Sequence, residues 1–258
     1  LYSKTSVSYK RVEEIVTENI DEITQEEFEK NLSDNILEFK HVYFSYDKSD
    51  KYILEDINFE IKRGENIGVI GGIGSGKSTL VSLIPRFYDV VKGEIKIDGV
   101  NIQKYNEREL RKKIGLVLQK AFLFSQSVKD NIKWGNQGAT QEEIELMAHI
   151  AQGKEFIEKL PESYETELIK GGNNLSGGQK QRVSIARTLL KKPEILIFDD
   201  SFSALDFITE HRLKNELRNY MSNITTITIS PKVSSLIKMD RILVIDNGKI
   251  AGFDTHEN

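Results

Sequence analysis

Residues 71–79 read Gly-Gly-Ile-Gly-Ser-Gly-Lys-Ser-Thr. Gly71, Gly76, Lys77 and Ser78 stand at the spacing of a phosphate-cradling P-loop. Gly71, Gly74 and Gly76 let the backbone curl, so that successive N–H groups from Ser75 to Thr79 face an anion. Lys77 supplies a cation to β- and γ-phosphates, and the Ser78 hydroxyl is suited to ligate Mg²⁺. The plain alternative is a Gly-rich turn before an ordinary helix. Such a loop also needs an acidic partner for Mg²⁺ at a strand end, and Ile195-Leu196-Ile197-Phe198-Asp199 offers one. An apolar run ending in Asp is common in α/β cores, so Asp199 gains meaning only beside the loop.

The elements that must position these groups are legible in outline. Ile67 to Ile70 is a compact apolar strand before the loop, and a helix begins near Lys77. Leu37–Phe39 and Val42–Phe44 read as short strands, and Ile57, Phe59 and Ile61 alternate with polar residues before the turn Arg63-Gly64-Glu65. Ile95 to Gly99 reads as a strand closing in a turn. Residues 141–160 and 177–191 read as helices. Ile114–Leu118, Leu196–Asp199, Thr225–Ile229 and Ile242–Ile245 read as buried strands. Apolar strands alternating with helices imply an α/β fold with a largely parallel sheet. Over residues 1–35 the texture differs: Val12, Ile15, Val16 and Ile20 predict a short amphipathic helix, followed by a polar, acidic linker.

Composition narrows the class. The 258 residues carry 29% charged and 38% hydrophobic side chains, with formal net charge -4 and no Cys. A disulfide framework or thiolate metal site is excluded. Lys and Arg are spread along the chain, so no nucleic-acid partner is expected. No apolar stretch approaches the roughly 18 residues needed to cross a bilayer, and the chain alone is expected to be soluble. Its first residue is Leu1, and it is expected to be a piece of a longer protein.

Residues 175–179 read Leu-Ser-Gly-Gly-Gln. Ser176 can cap a helix whose start, opened by Gly177 and Gly178, favours an anion. With the loop at 71–79 and Ile195–Asp199, in that order, this resembles the signature motif of ATP-binding cassette (ABC) proteins. The likeness runs from Ile36 to His256. It implies a P-loop NTPase (RecA-like) core with an antiparallel β subdomain and an α-helical signature subdomain at roughly 121–190, binding ATP and Mg²⁺. In the family the signature motif (here Ser176, Gly177, Gly178 and Gln179) completes the ATP site of an opposite subunit. Tyr46 resembles the aromatic residue that stacks on adenine. Gln119 resembles the glutamine that contacts Mg²⁺ or water and reports to the membrane domain. Ser203-Ala204-Leu205-Asp206 resembles the loop at the dimer interface. Phe122–Ser125 with Val128 and Asp130–Ile132 resembles the exporter segment that receives the coupling helices of a transmembrane domain. Residues 1–35 resemble the lead-in from an upstream membrane domain, with 36–258 as the ATP-binding domain on the cytoplasmic face of the membrane.

Three positions depart from that pattern. Asp200 stands where the family has the Glu that polarises the attacking water. Its carboxylate falls short by about 1.5 Å, and a misplacement of about 1 Å can cost on the order of a hundredfold in rate. Pro231 stands where a switch His is expected and offers no side-chain donor and no N–H. Lys232, next to it, points to the other side of an extended strand end, and its electrostatic substitution for the His is the lesser alternative. Lys170 stands where an acidic residue contacts the coupling helices. With Lys77, Asp200 and Gln119 as the catalytic set and Ser78, Gln119 and Asp199 as the metal set, binding parts are intact and hydrolytic parts altered. The expectation is the degenerate half of a heterodimeric exporter. An active homodimeric exporter ATPase and a soluble ABC protein acting on nucleic acid or ribosomes are the alternatives.

Overall fold

The structure is a computed structural model and describes residues 33–47, 51–220 and 223–257. The helix expected over Val12–Ile20 lies outside these, as does nearly all of the linker after it.

Two sheets form the frame. In the first, β1 (Asn35–Phe44), β2 (Leu54–Lys62), β4 (Lys92–Ile97) and β5 (Val100–Asn101) pair antiparallel in the order β2-β1-β4-β5. The two short strands expected before Ser45 are one strand. It is irregular at His41, whose φ of 48° interrupts the alternation without ending the pairing. The second sheet has the order β10-β9-β3-β8-β7-β6, from β3 (Asn66–Gly71), β6 (Ile114–Val117), β7 (Ile195–Asp199), β8 (Thr225–Ile229), β9 (Arg241–Asp246) and β10 (Lys249–Asp254). All its pairings are parallel except β9 with β10.

The uninterrupted apolar run of β7 follows from burial on both faces. Ile195 and Ile197 join the core shared with the first sheet and with Leu80, Val81 and Leu83 of α1 (Lys77–Leu83). Leu196 and Phe198 join a second core with Val183, Ile185 and Leu189 of α6 (Gly177–Leu190). One strand thus ties the phosphate loop to the signature helix. The second core also takes side chains from α3 (Val128–Lys133), α4 (Gln141–Ile150), α5 (Lys154–Ile157) and α7 (Phe207–Tyr220). A short helix α2 (Glu107–Lys113) leads into β6.

One helix expectation is corrected. Residues 141–160 are two helices, because the chain turns at Ala151–Gly153, where Gln152 adopts φ 58°. The fold is α/β of the P-loop NTPase type, and its parallel strands run their C-terminal ends toward one edge, where α/β folds place their ligands.

Candidate functional site

At that edge, Gly74 and Gly76 take φ values of 75° and 104°, a region open to glycine at little cost. The loop curls back on itself, and the Lys77 ammonium sits inside the curl. It donates to the Gly71 carbonyl at 2.9 Å and the Gly72 carbonyl at 2.6 Å, with Ser75 Oγ at 3.4 Å. These are three donors on a flexible stem holding carbonyls that a phosphate oxygen would replace.

The next residue faces the neighbouring strand. Ser78 Oγ donates to Asp199 Oδ1 at 3.1 Å. Burial raises the Asp199 carboxyl above the ordinary range. The Asp200 charge adds to this, against the Ser78 hydrogen bond and the Lys77 charge. A divalent cation would reverse that balance. The described residues contain no cluster of His, Cys, Asp and Glu able to hold a metal by themselves. One carboxylate and one hydroxyl beside a phosphate cradle suit Mg²⁺, which is held by few protein ligands together with phosphate oxygens.

Gln119 is placed differently from Ser78. Its amide Nε2 donates to Asp200 Oδ2 at 2.7 Å. Asp200 itself sits at φ 45°. Of the three residues expected to hold a metal, Ser78 and Asp199 meet, while Gln119 binds the adjacent carboxylate.

Tyr46 is half exposed, and its hydroxyl lies 3.1 Å from Thr79 Oγ1. Its ring stands nearly perpendicular to those of Phe44 and Tyr88, each with its centroid 5.0 Å away. Tyr88 was missed in the sequence, where nothing in a loop after α1 marks it as Tyr46's neighbour.

Ser176 and Gln179 form a reciprocal capping box at the start of α6, with Gln179 N donating to Ser176 Oγ at 3.2 Å and Ser176 N to Gln179 Oε1 at 2.8 Å. A Cβ on Gly177 would meet nothing within 4 Å, so this helix start is open to an incoming group. A Cβ on Gly178 would stand 2.9 Å from the Ala204 carbonyl, which fits the loop 203–206 tightly against the same end. No hydrogen bond or ion pair among the described residues joins Ser176–Gln179 to the Lys77–Asp199 group.

Two further side chains emerge only from the structure. Gln181, buried, donates to the Leu118 carbonyl at 2.9 Å and fastens α6 beneath Gln119. Arg187 donates to the Asn131 carbonyl at 2.7 Å, to Asn131 Oδ1 at 2.8 Å and to the Phe122 carbonyl at 2.9 Å. Burial lowers its guanidinium to about 10, so it is still charged at neutral pH. The segment it holds exposes Phe122 and Trp134, with Phe124 stacked on Trp134 at 4.9 Å. A polar residue within the apolar stripe of a helix is the sequence signal that would have found Gln181.

A phosphate cradle, a strand-end carboxylate bonded to its hydroxyl and an open capped helix start define a nucleotide-binding P-loop domain with a signature helix. The chain belongs to the ABC transporter family, whose model matches residues 54–203. It is 45% identical over 221 residues, 86% of this chain, to YgaD of Bacillus subtilis (strain 168), named as a candidate multidrug export ATP-binding/permease protein. It is 42% identical over 256 residues, 99% of the chain, to the uncharacterized ABC transporter ATP-binding protein YfiB of the same organism. It covers 38% and 44% of those two proteins, so the chain spans about two fifths of the length of the curated relatives it matches. Among solved structures, a bacterial Atm1-family ABC exporter with ATP bound matches with TM-score 0.84 and 40% identity. That match covers 88% of this chain and 39% of the other.

Proposed function

We propose that the chain is the ATP-binding domain of an ABC exporter, holding Mg-ATP on residues 71–79 and working as one half of an ATP-closed dimer. The observation that carries this reading is the Ser78–Asp199 hydrogen bond beside Lys77. A hydroxyl, a carboxylate and an ammonium gathered at one strand end support the binding of a triphosphate and its cation. Lys77 and the loop N–H groups bind the β- and γ-phosphates, Ser78 and Asp199 hold the cation, and Tyr46 carries the adenine ring. Mg²⁺, when bound, offsets the charge on the phosphate oxygens. The open start of α6 at Ser176–Gln179 binds the γ-phosphate of the partner's ATP, so that ATP joins the two domains.

We further propose that this chain's own site hydrolyses ATP slowly and that its partner is a different, competent ATP-binding domain. Asp200 is the carboxylate that accepts the proton of the attacking water, and the reading of a slow site is supported by the engagement of its Oδ2 by Gln119. Pro231 supplies no donor to the γ-phosphate, and Lys232 lines a cavity behind the sheet. Residues 36–258 form this domain, with the helical subdomain near 121–190, and residues 1–35 lead in from a transmembrane domain. The exposed aromatic patch Phe122–Trp134, fastened to α6 by Arg187, supports a docking face for that domain at the cytoplasmic side of the membrane. The names of the relatives, which join ATP binding to a permease, support the same arrangement.

The test is ATP binding and steady-state ATPase of the 258-residue chain with Mg²⁺ over a range of protein concentrations. Tight binding with negligible turnover is expected. Turnover that rises steeply with protein concentration would establish an active homodimer and overturn the impaired-site reading. Absence of ATP binding would overturn the whole assignment.

A further inference from the structure

Behind the phosphate site, on the face of the parallel sheet turned away from α1, lies a cavity of about 750 Å³. That lies within the roughly 300–1,000 Å³ of small-molecule sites. Leu196 and Phe198 of β7 with Thr226 and Thr228 of β8 line one side of it. α7 and the segment 232–239 line the others. The cavity is a cleft open to solvent, with Arg218, Lys232 and Lys238 of its lining exposed. α7 has 14 residues yet buries only Leu213 and Leu217, so the helix is short of packing partners where the cavity meets it.

The lining has a definite chemistry. Its apolar part includes Phe198, Phe202, Leu217 and Ile224. Its charged part is dominated by cations. Glu210, the one acidic residue of the lining among the described residues, is already paired with Lys214 at 2.6 Å. Arg218, Lys232 and Lys238 line the same cavity, lie exposed, and make no ion pair among the described residues. Apolar walls together with exposed cations, of which Arg218 bonds only the neutral Lys214 carbonyl and Asn215 Oδ1, complement a molecule with an apolar body and an anionic head.

We propose that this cavity is a binding site for an amphipathic organic anion, a carboxylate or sulfonate on an alkyl or aromatic body. The apolar body lies against Ile224 and Ile237, and the anion meets Lys232, Lys238 and Arg218. The cavity touches Phe198, which precedes Asp199, and Leu205, which precedes Asp206. An occupant therefore braces from behind the strand end and loop that serve the nucleotide site.

The experiment is calorimetric titration of the 258-residue chain with dodecanoate below its micellar concentration, with dodecyl maltoside as the uncharged comparison. Hydrogen exchange is followed in parallel. Saturable binding of dodecanoate is expected, with slowed exchange over residues 207–239. The exposed double substitution Lys232→Glu with Lys238→Glu is expected to weaken it about tenfold or more. Phe122→Ser, on the separate exposed patch, leaves it unchanged. Ile224→Trp, which fills the apolar part, abolishes it. The proposal is overturned if dodecanoate fails to bind, or if dodecyl maltoside binds as well. It is equally overturned if the double charge reversal changes nothing, or if protection falls on residues 118–134 instead.

Discussion

Gln119 and Asp200 meet at 2.7 Å because their strands are in register. Val117 pairs with Phe198 across β6 and β7, and each of the two residues stands two positions beyond that pair. The amide donates to one carboxylate oxygen of Asp200, and it does so from the segment that continues into the exposed Phe122–Trp134 patch. A longer side chain at 200 reaches past this bond, and a histidine at 231 adds the missing donor. Asp200→Glu combined with Pro231→His is therefore expected to raise steady-state hydrolysis by on the order of a hundredfold. Phosphate release measured on the chain with Mg-ATP checks this, and an unchanged rate would place the limit in dimer formation.

Lys77 is bonded to carbonyls of its own loop, so its removal leaves the loop's polar groups without their ammonium and a phosphate without its cation. Lys77→Ala is expected to weaken ATP binding by on the order of a hundredfold, since bonds to a charged group are worth about 1.5–3 kcal/mol. Equilibrium titration with a fluorescent ATP analogue measures it, with the far-ultraviolet dichroism unchanged. An unaltered affinity would remove the cradle from the binding account.

Under the proposed function the hydroxyl and the ring of Tyr46 have separate roles. The hydroxyl bonds Thr79, and the ring, set against Tyr88, offers a surface to a base. Tyr46→Phe keeps the ring and is expected to bind ATP within about twofold of the parent. Tyr46→Ala loses stacking worth about 1–3 kcal/mol and binds roughly tenfold or more weakly. Equal losses in the two variants would point to the hydroxyl bond instead.

Much of this site could be read in the sequence, and the rest could not for definite reasons. The loop at 71–79, the strand before it and Asp199 are local, and their types and spacing sufficed. The Gln119–Asp200 contact depends on β6–β7 register, which no local pattern encodes. The break at Gly153 escaped because Ile144, Met147 and Ala148 set a helical period that Phe156 and Ile157 continue beyond it. α7 escaped because its inward face offers only Leu213 and Leu217 among polar residues. The antiparallel sheet was expected through family likeness alone. Its bulged first strand reads as two fragments because His41 interrupts the alternation.

Ser176 caps its helix, and the proposed function adds a ligand role that one substitution cannot separate from it. Ser176→Ala removes half of the capping box and is expected to cost about 1 kcal/mol of stability. Ser176→Arg also fills the open space before Gly177. In a mixed dimer with a competent partner it is expected to stop the partner's hydrolysis while this chain still binds ATP. Turnover that survives Ser176→Arg would contradict the action of this helix start across the dimer.

At the joint between the two sheets, Arg63 and Lys113 both bond Asp98 and Glu194. The Arg63–Glu194 bond is 3.0 Å and the Lys113–Asp98 bond 3.1 Å. Burial works to raise the Glu194 carboxyl, but hydrogen bonds and charge from Lys113, then Arg63, outweigh it and hold the group below its usual range. A carboxylate whose folded pKa is depressed contributes stability above its unfolded value, near 4.3. That contribution is lost as pH falls through the folded value. Glu194→Gln is therefore expected to lower the melting temperature at pH 7 by a few degrees, corresponding to about 1 kcal/mol for a partly exposed network. The difference from the parent shrinks as the pH is taken down through 4. Melting curves from pH 7 to pH 3 measure it. A difference that stays constant with pH would show that shape, not charge, holds Glu194 in the joint.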